Sequence, residues 1–179
     1  MNSCYYNKAM KKLFIPALIT LLSISTSTFA QTLLNSKVPS TQIKTLDGAN
    51  FNTSSFSNNG KPIIIDFWAT WCKPCIAELD AINDEYADWQ KETGVKLIAI
   101  ATDDARTMAK VQSFIKERGW EYEVYIDPNQ DFQHAMEVIN CPCTFIIDGS
   151  GKIVYVHNSY LQGDEKKLHE ALLKVAHKK

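Results

Sequence analysis

Hydrophobic residues in this chain fall into short, nearly continuous runs, separated by longer stretches in which they recur every three or four positions. Residues 63–65 and 95–101 are almost wholly apolar and rich in β-branched side chains, which is typical of strands buried on both faces of a sheet. Residues 144–147 and 153–156 form two further runs, and Asp148-Gly149-Ser150-Gly151 between them indicates a tight turn. The pattern predicts buried central strands and a hairpin near the carboxyl end.

The stretches between the runs have the spacing of amphipathic helices. Residues 76–91 place large apolar side chains along one helical face: Ile76, Leu79, Ile82, Tyr86 and Trp89. The same spacing predicts an inserted helix over residues 105–118, a short helix over 131–138 and a final helix over 164–176.

Weaker patterns complete the order of elements. Residues 42–52 alternate polar and apolar positions around an Asp47-Gly48 turn, which predicts an N-terminal hairpin, and residues 122–126 predict a short strand. Asp103 and Asp104 are suited to cap the inserted helix. Because strands and helices alternate along most of the chain, we predict one α/β domain with a central mixed sheet flanked by helices.

The junction between one buried strand and the first long helix carries the most informative sequence, Phe67-Trp68-Ala69-Thr70-Trp71-Cys72-Lys73-Pro74-Cys75. Unpaired N–H groups and the dipole at a helix start favour a thiolate at Cys72. With two residues between them, Cys72 and Cys75 can close and reopen a small disulfide ring. The same C-x-x-C spacing also fits half of a zinc site.

Residues 1–30 have the features of a secretory signal: Lys8, Lys11 and Lys12, an apolar core, and Thr28-Phe29-Ala30 at a cleavage position. The apolar core is shorter than the about 20 residues of a membrane-spanning helix. We therefore expect cleavage and one exported, periplasmic domain over residues 31–179, with an uncleaved anchor as the alternative.

Removing the leader changes the formal net charge from −1 to −4. With no run of basic residues, we expect no nucleic-acid partner.

Four cysteines remain after the leader: Cys72, Cys75, Cys141 and Cys143. Exported cysteines usually form structural disulfides. A domain of this length, however, can bury a sufficient core without them, and neither closely spaced pair would close a long loop. The cysteines are therefore predicted to be functional thiols.

The four histidines lack metal-ligand spacing and are predicted to lie on the surface: His134, His157, His169 and His177.

Residues 65–75 resemble the active-site strand and motif of thioredoxins. The hairpin, the inserted helix and the leader are similar to those of the exported TlpA/ResA-like branch, and the resemblance covers about residues 38–178. It implies a thioredoxin fold with an N-terminal β-hairpin and an inserted helix. The activity it implies is that of a thiol-disulfide oxidoreductase.

The resemblance also implies roles for single residues. Cys72 matches the nucleophilic cysteine and Cys75 the resolving cysteine. Asp66 matches the buried acid that exchanges a proton with the second thiol in thioredoxins, although many TlpA/ResA-like proteins lack it. Glu78 matches an acid typical of the TlpA/ResA branch, and Pro142 matches the cis-proline that faces the cysteine pair.

Two departures from the family pattern stand out. Position 80 is Asp, where the family often has a helix-kinking proline. Position 141 is Cys, where the family usually has an aliphatic residue or threonine, and position 143 is Cys, where threonine is common. Three interpretations of these cysteines are open. They act as small buried apolar residues, or they are auxiliary thiols that accept the disulfide of the active pair, or Cys141 is part of a Cu(I) site.

A partner groove is expected to surround the cysteine pair. Its predicted substrate-binding residues are Trp71, Lys73, Pro74, Cys141 and Pro142. Lys73 either supports the Cys72 thiolate or is simply solvated.

We predict an exported oxidoreductase that reduces protein disulfides, with the haem-binding cysteines of apocytochromes as one substrate class. The Lys-Pro between the cysteines resembles the Gly-Pro of reducing thioredoxins more than the Pro-His of strong oxidants. Reduction outside the cytoplasm requires a membrane electron donor of the DsbD type. We expect a monomer that needs no cofactor.

Three alternatives remain open at this stage. A Cu(I) metallochaperone would use Cys72, Cys75 and Cys141. A thiol peroxidase would need an arginine near the reactive cysteine, and the only arginines are Arg106 and Arg118, both in the inserted helix. A zinc site would use all four cysteines.

Overall fold

Seven strands form one sheet in the computed structural model, which describes residues 33–104 and 106–178. The predicted leader lies outside these residues. The strands are β1 Gln42–Thr45, β2 Asn50–Asn52, β3 Ile63–Trp68, β4 Lys96–Ala101, β5 Glu123–Ile126, β6 Cys143–Ile147 and β7 Ile153–Asn158. Their order across the sheet is β2-β1-β5-β4-β3-β6-β7. Only β3, β4 and β5 run parallel, so the predicted mixed sheet and N-terminal hairpin are confirmed.

The helices are α1 Lys73–Thr93, α2 Val111–Arg118, α3 Asp131–Ala135 and α4 Asp164–Ala176. Gly94 ends α1 with a left-handed backbone, φ 68°, a conformation that glycine adopts without steric cost. In the described part of the chain no helix combines the length and the hydrophobicity needed to cross a membrane.

The inserted helix and α3 are shorter than predicted. Helix α2 begins at Val111, after a 3₁₀ turn at Met108–Lys110, and not near residue 105. Asp104 accepts the Arg106 N–H in a local turn at 2.9 Å, so this segment turns before it becomes helical. Helix α3 ends at Ala135, and Glu137 has a φ of 53°, which cannot continue a right-handed helix.

Both faces of the sheet are covered, which explains why the central strands are apolar on both sides. Helices α1, α2 and α4 pack on one face through buried residues that include Leu79, Ile82, Ile115 and Leu172. Helix α3 packs on the other face through Phe132. Strand β3 lies between β4 and β6, in the middle of this layered core.

Helix α1 is one continuous helix of 21 residues that passes through Asp80. The Asp80 side chain accepts a hydrogen bond from the Trp120 indole N–H at 2.9 Å and also pairs with Arg118. The residue that replaces the family's proline therefore links α1 to the end of α2 and to the segment that follows it.

Candidate active site

Cys72 is the N-cap of α1. Its backbone is extended, with φ −89° and ψ 94°, and its sulfur accepts the Cys75 N–H at 3.3 Å. Pro74 lies in the first turn, where no intrahelical partner for its nitrogen is needed. The sulfur of Cys72 is thus held at the positive end of the helix dipole, which stabilises a thiolate.

Cys72 and Cys75 form a disulfide, with Cα atoms 5.3 Å apart. Cys72 is 5% exposed, whereas Cys75 is fully buried. A partner protein can therefore reach Cys72 and not Cys75. The two sulfurs are distinguished by access, as a nucleophile and a resolving thiol must be.

Asp66 on β3 and Glu78 on α1 contact one hydroxyl group. Thr144 Oγ1 lies 2.7 Å from Asp66 Oδ2 and 2.9 Å from Glu78 Oε1. All three side chains are buried. A hydroxyl has one proton to donate, so it can donate to only one carboxylate, and the second hydrogen bond needs a proton on the other carboxyl. The arrangement, which we call the acid pair, therefore holds at least one proton.

The electrostatics of the acid pair agree with this geometry. Burial raises the pKa of Asp66 well above its ordinary value, and the charge of Glu78 raises it further, against the Thr144 hydrogen bond. Burial raises the pKa of Glu78 to about 7; Thr144 opposes this shift, and the charges of Asp164 and Glu165 add to it. The acid pair can therefore gain and lose a proton near neutral pH.

The Cys141–Pro142 peptide bond is cis. Cys141 is half-buried, and its sulfur lies 3.7 Å from the Thr102 hydroxyl. Burial raises the pKa of Cys141 to about 11 and raises the pKa of Cys143 as well. Both thiols are therefore protonated, and weakly nucleophilic, at neutral pH.

A cleft of about 490 Å³ brings Pro74 together with Cys141 and Pro142. Exposed apolar side chains occur in the loops that adjoin this region: Trp71 (66% exposed), Ile139 (87%) and Leu161 (74%). Of the predicted substrate-binding residues, three line the cleft, and Trp71 and Lys73 are exposed beside Cys72.

Sequence reasoning missed the roles of two residues that build the site. Thr144 was expected only as part of a strand. Asp103, expected to cap the inserted helix, is buried and instead accepts hydrogen bonds from Thr70, from its N–H at 2.9 Å and from its hydroxyl at 2.5 Å. This contact ties the loop before Cys72 to the end of β4.

Two of the histidines predicted to lie on the surface are half-buried. The side chains of His157 and His169 are 24% and 25% exposed. The only signal in the sequence for His157 was its position in a strand next to apolar residues.

Within residues 33–104 and 106–178, no three His, Cys, Asp or Glu side chains are arranged to hold a metal ion. Arg106 pairs with Asp104, and Arg118 with Asp80, so each arginine is engaged by a carboxylate.

A model of the AhpC/TSA family matches residues 34–156. The thiol-disulfide oxidoreductase ResA of Bacillus thuringiensis subsp. konkukian is 31% identical over 144 residues, which cover 79% of this chain and 78% of that protein. The chain belongs to the ResA-like group of the AhpC/TSA family. The ResA of Geobacillus thermodenitrificans is 28% identical over 136 residues, 76% of this chain and 75% of that protein.

Solved structures agree with this assignment. A thioredoxin-like protein from Porphyromonas gingivalis superposes with a TM-score of 0.70 at 46% identity, covering 78% of this chain and 91% of that one. A putative thiol:disulfide interchange protein DsbE from Chlorobium tepidum has the same fold, with a TM-score of 0.70 at 24% identity over 80% and 97% of the two chains. The thioredoxin fold and thiol-disulfide oxidoreductase activity predicted from the motif are confirmed.

Proposed function

We propose that this oxidoreductase reduces disulfides in exported proteins, using Cys72 as the nucleophile and Cys75 as the resolving thiol. The observation that supports the proposal most is the asymmetry of the pair: Cys72 caps a helix and keeps 5% exposure, whereas Cys75 is fully buried. The acid pair of Asp66 and Glu78 supplies the proton chemistry that a buried thiol needs.

The reaction begins with the reduced protein. The Cys72 thiolate attacks one sulfur of the substrate disulfide, that S–S bond breaks, and a mixed disulfide forms while the first substrate sulfur leaves and takes a proton from solvent. The Cys75 thiol then gives its proton to the acid pair, and the resulting thiolate attacks the Cys72 sulfur. The second substrate sulfur leaves and is protonated. Two electrons have passed to the substrate, and the Cys72–Cys75 disulfide remains.

The acid pair is suited to the second step. Cys75 has no contact with solvent, so its proton must pass to a protein group. A carboxyl whose pKa lies near 7, as that of Glu78 does, accepts and returns a proton at neutral pH with little free-energy cost.

The direction and location are finer parts of the proposal. We infer export from the leader of residues 1–30 and reduction from the Lys73-Pro74 sequence. The disulfide must be reduced again after each turnover, for which a membrane donor of the DsbD type is proposed. Disulfide-bearing proteins are the substrate class, with apocytochrome haem-binding cysteines as one candidate.

The test uses purified residues 31–179. We expect catalysed reduction of insulin disulfides and a reduction potential near −270 mV, the value of a reductant; a value near −120 mV would indicate an oxidant. Cys72→Ser should abolish the activity, whereas Cys143→Ser, at a buried thiol outside the pair, should retain it. Tight stoichiometric binding of Cu(I) with negligible insulin reduction would contradict the proposal and favour a metallochaperone.

A further inference from the structure

Asp66, Thr144 and His157 occupy one row across three strands. Asp66 on β3 is paired with Thr144 on β6, and Thr144 is paired with His157 on β7. Directly opposed residues of antiparallel strands point to the same face, with Cβ atoms about 4.5–5.5 Å apart. Because β7 is the last strand of the sheet, the row runs from the buried acid pair to the edge of the sheet.

His157 is held at the outer end of this row. Its Nε2 atom is buried, has no hydrogen-bond partner among the described residues, and lies 3.7 Å from Asp164 Oδ2 at the start of α4. The ring stacks on Tyr155, with an interplanar angle of 17°. Asp164 is itself fixed, since it accepts the Leu161 N–H at 2.9 Å and pairs with Lys167 at 2.7 Å.

The titratable groups around His157 are continuous with the acid pair. The charges of Asp164 and Glu165, at the start of α4, add to the raised pKa of Glu78 on α1. From β7 itself, burial raises the pKa of Tyr155, and the charges of Asp164 and Glu78 add to the shift while Lys167 opposes it. His157 therefore lies among groups that already interact electrostatically with Glu78.

We propose that His157 is the outer proton-transfer residue of this active site, passing protons between the acid pair and solvent at the start of α4. The inference rests on the proposed function of the acid pair. Each turnover moves one proton from the Cys75 sulfur to a carboxylate, and a route to solvent lets the acid pair return to its starting protonation state at the pH of the medium. Asp66 and Glu78 are 0% and 2% exposed, so water does not reach them directly.

His157, with a side chain 24% exposed, joins the two environments. The proton passes from the carboxyl group to the imidazole and from the imidazole to water, and it returns by the same route when the disulfide is reduced. Imidazole is the side chain best suited to carry a proton in both directions near neutral pH. His157 does not touch the sulfur atoms, so it acts on the reaction only through the acid pair.

The test compares His157→Phe with His169→Phe. The two histidines are equally buried, each stacks on an aromatic ring, and each faces a carboxylate, but His169 contacts Trp89 and Glu92, outside the row. Reduction of the Cys72–Cys75 disulfide by dithiothreitol is followed by stopped-flow tryptophan fluorescence between pH 5 and 9. We expect His157→Phe to slow the reaction about tenfold at pH 7, less than the loss of a group acting directly on the sulfur, and to alter its pH profile. His169→Phe should match the parent protein.

Rescue separates proton transfer from packing. Added imidazole should restore the rate of His157→Ala and leave that of His169→Ala unchanged. If His157→Phe does not fold, His157→Gln takes its place. An unchanged rate and pH profile, an equal loss at His169, or no rescue by imidazole would overturn the inference. The proposed function is tested separately. In a Cys75→Ser background, attack by Cys72 on a substrate disulfide should proceed at the same rate with and without the His157→Phe substitution.

Discussion

At the scale of single residues, one threonine hydroxyl decides the chemistry of two carboxyl groups. Thr144 has one proton for Asp66 and Glu78, so the three groups share protons as a unit. Oδ1 of Asp66 and Oε2 of Glu78 have no hydrogen-bond partner among the described residues. This lack of partners raises the free-energy cost of ionising either carboxyl group. The acid pair therefore holds a proton, as its proposed role toward the Cys75 thiol requires.

Asp66→Asn removes one member of the acid pair. We expect the release of the second substrate thiol to slow about 100-fold, the lower end of general acid–base contributions, while attack by Cys72 is unaffected. Mass spectrometry should show an accumulated mixed disulfide. Asp127→Asn is the matched control, because Asp127 is also buried with a raised pKa but accepts the Gln133 N–H instead. Equal accumulation in both variants would contradict a specific role for Asp66.

The auxiliary role of Cys141 stays a prediction that one substitution can test. Because its pKa is raised to about 11, Cys141 is protonated at pH 7 and should take no part in exchange. Cys141→Ser should leave the rate of insulin reduction at pH 7 within about twofold of the parent value. A larger loss, without the same loss in Cys143→Ser, would assign Cys141 an auxiliary redox role.

At the scale of elements, the first turns of α1 bring a reactive sulfur and a buried acid to the same strand pair. Cys72 caps the helix, and Glu78 faces the sheet where β3 and β6 pair. The helix gains packing from its apolar face, but it also buries a carboxyl group. The stability of this junction must therefore depend on pH.

Glu78 fixes the sign of that dependence. Its pKa rises from 4.5 to about 7 on folding, so between these values the folded state keeps a proton that the unfolded state has released. The contribution of Glu78 to the free energy of unfolding is complete below about pH 4.5 and is lost as the pH rises through about 7. We expect the disulfide form to lose roughly 2 kcal/mol of unfolding free energy between pH 5 and 8 through this group.

Urea unfolding at both pH values measures the effect. Glu78→Gln should flatten the dependence, whereas Glu117→Gln, at an exposed position on α2, should leave it unchanged. A parent protein and a Glu78→Gln variant with the same pH slope would show that Glu78 does not carry the linkage.

At the scale of the whole molecule, two turns meet at the end of the sheet opposite the disulfide. A Cβ atom at Gly149, in the β6–β7 hairpin, would lie 2.0 Å from the Gly60 carbonyl oxygen, in the loop before β3. Since β3 and β6 are paired, this contact aligns the two strands that carry Asp66 and Thr144. Only glycine allows such an approach of two backbones.

Gly149→Ala should therefore lower the unfolding free energy by about 3 kcal/mol, the upper end of overpacking costs. Gly151→Ala in the same hairpin is the control: its Cβ would meet nothing within 4 Å, and its left-handed backbone, φ 85°, should cost only about 1 kcal/mol. Urea unfolding of both variants gives the comparison. Equal losses would mean that the Gly149–Gly60 contact does not constrain the fold.

The sequence by itself determined the elements and the reactive pair. The β-branched runs, the helical spacing of residues 76–91 and the Cys72-Lys73-Pro74-Cys75 spacing are local, so they could be interpreted without the fold. The start of α2 at Val111 was missed because Asp103 bonds to Thr70, which is 33 residues away in the chain.

Only the tertiary structure decided how the site is completed. Thr144 lies 78 residues from Asp66 and 66 from Glu78, and the register of β3, β6 and β7 brings these groups and His157 into one region. Pairing between distant strands follows from the packing of the whole sheet, not from any local pattern. The sulfurs were therefore predictable from sequence, whereas the groups proposed to carry their protons became visible only in the folded chain.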